Sequence, residues 1–153
     1  MPEQLEELLP EAAAQTLELM AFIAPLPLEG PAPMPAEAYI VSLKFKGSVV
    51  GSVQLATSAG LGQMLSENIL GPADNPDEIT QRSQDALKEA LNVLCGTLLH
   101  PYCASGKAVE MALPEIVKAT PEAWQEITQD EKSLVLDADG QILAVRAQYK
   151  EAA

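Results

Sequence analysis

The chain has 153 residues, of which 48% are hydrophobic and 20% are charged. This length and composition are typical of one globular domain with its own core, and they exclude wholesale disorder. The formal net charge of −13, from 22 acidic and 9 basic residues, disfavours nucleic acids and anionic membrane surfaces as partners, because both repel an acidic protein. We therefore expect a single domain over residues 1–153.

The sequence also indicates the compartment. It shows no basic-then-apolar leader and no run of about 18 apolar residues, which are the marks of a signal peptide and a membrane span. Only two cysteines occur. We expect a cytoplasmic protein with reduced thiols and no membrane partner.

The N-terminal part predicts a helix followed by a loop. A helical apolar pattern covers residues 3–24 and is clearest from Glu11 to Ile23, with Pro10 acceptable in the first turn. Residues 25–35, "PLPLEGPAPMP", carry five prolines, which remove backbone donors and stop a helix. This segment is predicted to be a connecting loop inside the domain.

A hairpin and a short helix come next. Apolar residues alternate through "AYIVSLKFKGSVVGSVQLA" on both sides of Gly47-Ser48, which predicts two strands with one buried face. Ser58 is a helix-capping residue for "AGLGQMLSENIL", and Gly71 can end that helix in the left-handed conformation.

The second half predicts a long helix and then strands. Asn75, Pro76 and Glu78 form a helix-start pattern, and the helix is expected to run to about Leu99 and to end near Pro101. "KAVEMALPEIV" is typical of a strand and a turn, and "KSLVLDADGQILAVRAQYK" of a hairpin that turns at residues 139–140. Hairpins without parallel crossovers favour an α+β fold, a mostly antiparallel sheet with long helices packed on one face.

One face of the long helix is polar. At 100° per residue, Asp85, Glu89, Asn92 and Gly96 fall within about 60° of one another, while the leucines lie on the opposite side. Asparagine and glycine are unfavourable inside a helix, and a partner's backbone could approach at Gly96. The pattern alone favours an ordinary solvated face, with Asn92 tolerated and Gly96 packed against a neighbour.

Cys95, His100 and Cys103 raise the question of a metal site. The spacing C-x4-H-x2-C supplies three ligands and matches no common zinc motif. We expect two buried cysteines and a solvent-facing histidine instead.

The stretch "DALKEALNVLCG" carries Asp85-x3-Glu89-x2-Asn92 and resembles the signature of the CheX and CheC chemotaxis phosphatases. In that family an acidic or serine residue, a glutamate and an asparagine line one exposed helix. The order of hairpin, short helix, signature helix, "ALPEIV" and closing hairpin is also similar to a CheX-like domain. The first helix has Ala21 where an asparagine would stand, so the chain resembles CheX, with one signature, rather than CheC. The long proline-rich N-terminal segment and "HPYC" depart from the family pattern.

The resemblance implies an enzyme that hydrolyses the aspartyl phosphate of a CheY-like response regulator. Asn92 would hold the attacking water, and Glu89 would pair with the lysine beside the phosphoaspartate. Asp85 would extend the partner-binding surface with a smaller role. Lys88 and Gly96 lie beside it on the helical wheel and are included in this surface, where Lys88 could relieve acidic repulsion or be an ordinary exposed lysine. The Mg²⁺ ion would belong to the regulator, so no cofactor of the chain's own is expected.

Two other classes of function stay open. A catalytically silent CheX-like adaptor could bind a response regulator or a flagellar-motor component through the same domain, although an adaptor has no need of Asn92. A purely structural dimer is the third class. The resemblance also implies a homodimer, and exposed hairpin edges favour pairing.

Overall fold

The fold of the chain is described by a computed structural model over residues 5–151, with the side chains of residues 5–150. The helices are α1 (Leu5–Ala21), α2 (Ala59–Leu70), α3 (Pro76–Ala104) and α4 (Pro121–Thr128). The strands are β1 (Leu26–Pro27), β2 (Ala38–Gly47), β3 (Val49–Ser58), β4 (Val109–Met111), β5 (Glu115–Lys118), β6 (Leu134–Ala138) and β7 (Gln141–Glu151).

These strands form one antiparallel sheet. Its order is β1-β6-β7-β3-β2-β4, and β5 also pairs with β2. The two predicted hairpins are present as β2–β3 and β6–β7, and the second turns at Asp139 and Gly140, which both have positive φ. The predicted α+β class with an antiparallel sheet is confirmed.

The main core lies between one face of the sheet and the three helices α1, α2 and α3. Alternate residues of β2 point into it, as a period of two requires. The side chains of this strand that lie in the main core are those of Tyr39, Val41, Leu43 and Phe45. The long helices therefore cover one face, as the hydrophobic pattern predicted.

The opposite face of the sheet carries a smaller second core, which the sequence analysis did not predict. Ala38, Ile40 and Ala56 pack there against Trp124 and Ile127 of α4. The first hairpin is therefore buried on part of both faces, and the prediction of one buried face is wrong. The indole Nε1 of Trp124 donates to the carbonyl oxygen of Ala32 at 2.7 Å. This bond fastens the proline-rich loop over α4.

One long helix agrees with its predicted range and the other extends beyond it. α1 (Leu5–Ala21) lies within the predicted residues 3–24, but it is already helical at the buried Leu5 and Leu9, so Pro10 lies in its second turn and not in its first. α3 continues through Pro101 to Ala104. Proline removes only one backbone donor, and burial of Tyr102 in the core holds the last turn in place.

The starts of the helices agree with the local signals. The Ser58 side chain accepts a hydrogen bond from the backbone N–H of Leu61 at 3.2 Å, and that of Asn75 accepts one from the N–H of Glu78 at 2.9 Å. Gly71 ends α2 with φ of +78° but an extended ψ of −178°, so the left-handed prediction holds only for φ. Among residues 5–151, no helix combines the length and the apolar character that crossing a bilayer requires.

Candidate functional site

α3 presents opposite faces to the core and to solvent. Its buried side includes Ala86, Leu87, Ala90, Leu91 and Leu94. On the other side Asp85, Glu89 and Gly96 are exposed and Asn92 is half-buried. The predicted stripe is therefore displayed on a helix that the core holds in place.

α3 is positioned closely by its neighbour α2. Gly62 of α2 faces it, and a Cβ atom at that position would lie 2.7 Å from the carbonyl oxygen of Ser83. Such a separation is closer than a side chain tolerates, so the two helix backbones approach each other through the glycine. This close contact fixes the position of α3, and with it the exposed stripe, relative to α2.

Asp85 and Lys88 are engaged with each other and with a neighbour on the same helix. The ammonium Nζ of Lys88 lies 3.7 Å from Oδ1 of Asp85, and Nε2 of Gln81 donates to the same oxygen at 3.1 Å. Pairs of this spacing stabilise a helix by about 0.2–0.5 kcal/mol each. They also place the ammonium group of Lys88 beside the carboxylate of Asp85.

Glu89 and Asn92 differ from that pair. Within the part of the chain that the structure describes, neither side chain takes part in a hydrogen bond or an ion pair. They lie three residues apart, one turn of helix, on the same face. The carboxylate of Glu89 can only accept, whereas the carboxamide of Asn92 can both donate and accept. Both are thus available to an external group.

A groove of about 700 Å³ runs between α1 and α3. Asn92 and Gly96 line it from α3, and Leu8, Glu11 and Gln15 line it from α1. The sequence analysis missed this contribution of α1. A helical pattern shows which residues are exposed, but it does not show which neighbouring helix they face.

The glycine in this groove is not required by packing. A Cβ atom added to Gly96 would meet nothing within 4 Å, and no positive φ is found there. Glycine in an exposed helix interior costs about 1 kcal/mol relative to alanine. The open space at Gly96 is therefore a property of the surface and not of the core.

Cys95, His100 and Cys103 have different environments. Cys95 is fully buried, and its burial raises the pKa of the thiol to about 12. His100 is exposed and lines the groove. Cys103 is exposed, so the expectation that both cysteines are buried is wrong for this residue. Over residues 5–151 no three His, Cys, Asp or Glu side chains form a group that could hold a metal ion.

Comparisons with known proteins connect this site to one family. The sequence model of one protein family, chemotaxis phosphatase CheX, matches residues 39–138. This range contains Asp85, Glu89, Asn92 and Gly96. Curated protein sequences give no significant match.

Similar solved structures have the same overall fold. The CheX–CheY–BeF3–Mg²⁺ complex from Borrelia burgdorferi matches with a TM-score of 0.71 and 18% identity, covering 97% of this chain and 99% of that chain. The chemotaxis protein CheX from Vibrio vulnificus matches with a TM-score of 0.70 and 16% identity, covering 97% of each chain. FliY from Thermotoga maritima has a TM-score of 0.58 and 14% identity, with 99% of this chain and 92% of that chain covered. At these identities the likeness shows the fold alone.

Proposed function

The chain belongs to the family of the chemotaxis phosphatase CheX, and we propose that it hydrolyses the aspartyl phosphate of a CheY-like response regulator. The observation that carries this proposal is the pair Glu89 and Asn92. Both side chains project from a well-packed helix, and neither has a partner within the described residues. One similar solved structure is a CheX in complex with CheY, BeF3 and Mg²⁺, which supports a regulator as the partner.

Asn92 is the proposed water-positioning residue. Its carboxamide oxygen accepts a hydrogen bond from the attacking water, which places the water oxygen in line with phosphorus. The new P–O bond forms as the bond to the regulator's aspartate breaks, giving inorganic phosphate and a free carboxylate. A loose phosphoryl transition state needs positioning more than a strong base. The water proton leaves to a phosphoryl oxygen or to solvent, since an amide cannot take it.

Glu89 is proposed to dock and orient the regulator. Its carboxylate would form a charge-assisted pair with the lysine beside the phosphoaspartate. Mg²⁺ would be held by the regulator, so the chain would supply no cofactor. Asp85, Lys88 and Gly96 would form the surrounding contact surface.

Association of two copies is a separate part of the proposal. Leu113 and Val117 lie at the β4–β5 edge and are 87% and 61% exposed, and an unpaired edge favours pairing with another chain. We expect a homodimer. Light scattering that gives the 16.3 kDa monomer at high micromolar concentration would contradict this expectation.

Phosphate release from a panel of phosphorylated response regulators tests the activity. The best substrate should lose phosphate faster with the wild-type chain, and Asn92→Ala should reduce this catalysed rate by roughly 10²-fold, as when a preorganised transition-state group is removed. Gln63→Ala is the matched control, because it removes an exposed amide from the neighbouring helix α2. That variant should act like wild type.

Two results would contradict the proposal. One is an Asn92→Ala protein that keeps the wild-type rate. The other is a wild-type chain that binds a phosphorylated regulator without accelerating phosphate release, which would favour the silent adaptor instead.

A further inference from the structure

The groove between α1 and α3 has a mixed lining. Leu8, Val93 and Met111 give it apolar walls, and Glu11 supplies a carboxylate. Among the described residues that line the groove there is no lysine or arginine. The lining therefore combines apolar surface with one carboxylate, and, in the part of the chain that the structure describes, the imidazole of His100 is its one potentially basic group.

Among the described residues, no ion pair neutralises the charge of Glu11. The contact of its side chain in the described structure is with an uncharged amide, the Nε2 of Gln15, which donates to Oε1 at 3.1 Å. This hydrogen bond is exposed and joins residues one turn apart on α1. It orients the carboxylate but leaves its negative charge available to a cation.

We propose that this groove receives a lysine or arginine side chain of the response regulator. The proposal rests on the proposed function, because it identifies the regulator as the occupant. Lysine and arginine have an apolar stem and a cationic head. The stem would pack on Leu8 and Val93, and the head would meet the carboxylate of Glu11. The groove thus selects its partner by charge and by side-chain length.

The groove is continuous with the proposed reaction site. Asn92 lines it directly, and Gly96 lies one turn further along the same wall. Because Gly96 has no side chain and a Cβ atom there would meet nothing within 4 Å, no side chain closes the groove at this point. The volume of about 700 Å³ also leaves room for the backbone that carries the basic side chain.

The docking contact should affect binding more than the chemical step. A charged group at the rim of an interface mainly changes the association rate and its dependence on salt. Glu11 lies on α1, whereas the groups proposed for water positioning and lysine pairing lie on α3. Changes at Glu11 should therefore raise KM and leave kcat nearly constant.

Charge reversal tests the proposal. Glu11→Lys should raise KM for the phosphorylated regulator at least about 10-fold at low salt, with kcat within about twofold, and Glu11→Gln should give a smaller rise. Glu18→Lys is the matched control. It makes the same change in net charge on the same helix, and Glu18 is exposed but does not line the groove. Its KM should stay within about twofold of wild type, and the effect of Glu11→Lys should shrink as salt rises.

Several results would overturn the groove assignment. Equal changes for Glu11→Lys and Glu18→Lys would show a general charge effect, and unchanged KM in both Glu11 variants would show that the groove is not used. Melting temperatures identify a folding defect, in which case Glu11→Gln, an isosteric change, decides the question.

Binding of the beryllofluoride-loaded regulator, measured by calorimetry on the same variants, separates this proposal from the proposed function. A wild-type chain that binds without hydrolysis, and whose binding Glu11→Lys weakens at least about 10-fold, contradicts the phosphatase and supports the groove. A chain that neither binds nor hydrolyses contradicts both.

Discussion

Polar side chains on the two sides of this molecule have opposite surroundings. On the α4 side of the sheet, Arg146 is only 5% exposed, and its guanidinium donates from Nε and Nη2 to Oε1 of Gln54 at 3.1 and 2.6 Å. Its Nη1 donates to Oδ2 of Asp130 at 3.3 Å. On the α3 side, Glu89 and Asn92 have no such partners within residues 5–151. One region uses its polar groups internally, and the other leaves them available.

This difference separates stability from function. A buried charge is costly unless hydrogen bonds and an opposite charge compensate it, so removing one member of such a network weakens the fold. An exposed side chain without partners contributes little to stability, and its removal affects only what it binds. Substitutions in the two regions should therefore change different observables.

The largest stability effect is expected at Arg146. Arg146→Met removes the hydrogen bonds to Gln54 and the charge beside Asp130, and it should lower the free energy of unfolding by about 3 kcal/mol. Denaturant unfolding measures this loss. Below the melting transition, kcat/KM for the regulator should change by no more than about twofold. Arg82→Met is the control, since Arg82 pairs with Glu78 one turn away and both side chains are half-buried and in contact with solvent; it should cost under about 1 kcal/mol. Equal losses in the two variants would contradict the comparison.

Glu89 should show the reverse behaviour. Glu89→Ala is expected to lower kcat/KM by about 30-fold, with contributions from both KM and kcat, because the proposed lysine partner is present before and during the reaction. The melting temperature should not fall. Steady-state kinetics and thermal unfolding of the same sample provide both values.

Asp85→Ala is the matched variant for Glu89→Ala. The Asp85 carboxylate already contacts Lys88 and Gln81, so a change of only a few-fold in kcat/KM is expected. A larger loss from Asp85→Ala than from Glu89→Ala would contradict the view that unengaged side chains form the functional contacts.

Local sequence signals were sufficient for much of this architecture. The alternation in β2 and β3, the caps at Ser58 and Asn75, and the turn at residues 139–140 each depend on neighbouring residues alone. The exposed stripe of α3 followed from helical periodicity in the same way. The roles given to Glu89 and Asn92 came from the family resemblance and stay predictions.

Other features depend on contacts that are distant in sequence. α4 has eight residues, too few for a clear helical period, although the Thr120 cap and Pro121 gave a local signal that the sequence analysis did not use. The continuation of α3 beyond Pro101 depends on burial of Tyr102. The groove requires α1 and α3 to be placed side by side, and the lack of partners at Glu89 and Asn92 is likewise visible only in the folded chain.

Acid should lower the free energy of unfolding through Asp130, which lies on the α4 side. Its pKa is held below the ordinary value of 3.8, chiefly by the backbone N–H of Lys132 and, in part, by the hydrogen bond and charge of Arg146, which together outweigh burial. A lowered pKa in the folded state stabilises the fold above the ordinary carboxyl pKa, and this contribution is lost as pH falls through the folded-state value. Stability should therefore decline below about pH 4, and Asp130→Asn should show a shallower decline.

Unfolding measured between neutral and strongly acidic pH checks this dependence. Glu126→Gln is the control. The carboxylate of Glu126 lies 3.8 Å from the guanidinium of Arg146, and the Glu126 side chain is 70% exposed. The role of Asp130 would be contradicted if the stability of Asp130→Asn declined as steeply with acid as that of wild type while the stability of Glu126→Gln declined less steeply.

The smallest effect is expected at Gly96. This effect shows whether the open space beside the glycine matters for stability or for binding. Gly96→Ala should raise the free energy of unfolding by about 0.5–1 kcal/mol, because alanine is the better helix former and its methyl group meets nothing within 4 Å. Gly62→Ala makes the same substitution on α2, but its Cβ would lie 2.7 Å from the Ser83 carbonyl oxygen, so this variant should lose stability.

If the regulator approaches over Gly96, the stabilised variant should also show a KM raised by a factor of about 2–5, as a small steric obstacle in an interface does. A Gly96→Ala protein that is more stable and has an unchanged KM would show that the partner does not reach this wall, and one that is less stable would show that the glycine is required by the fold after all.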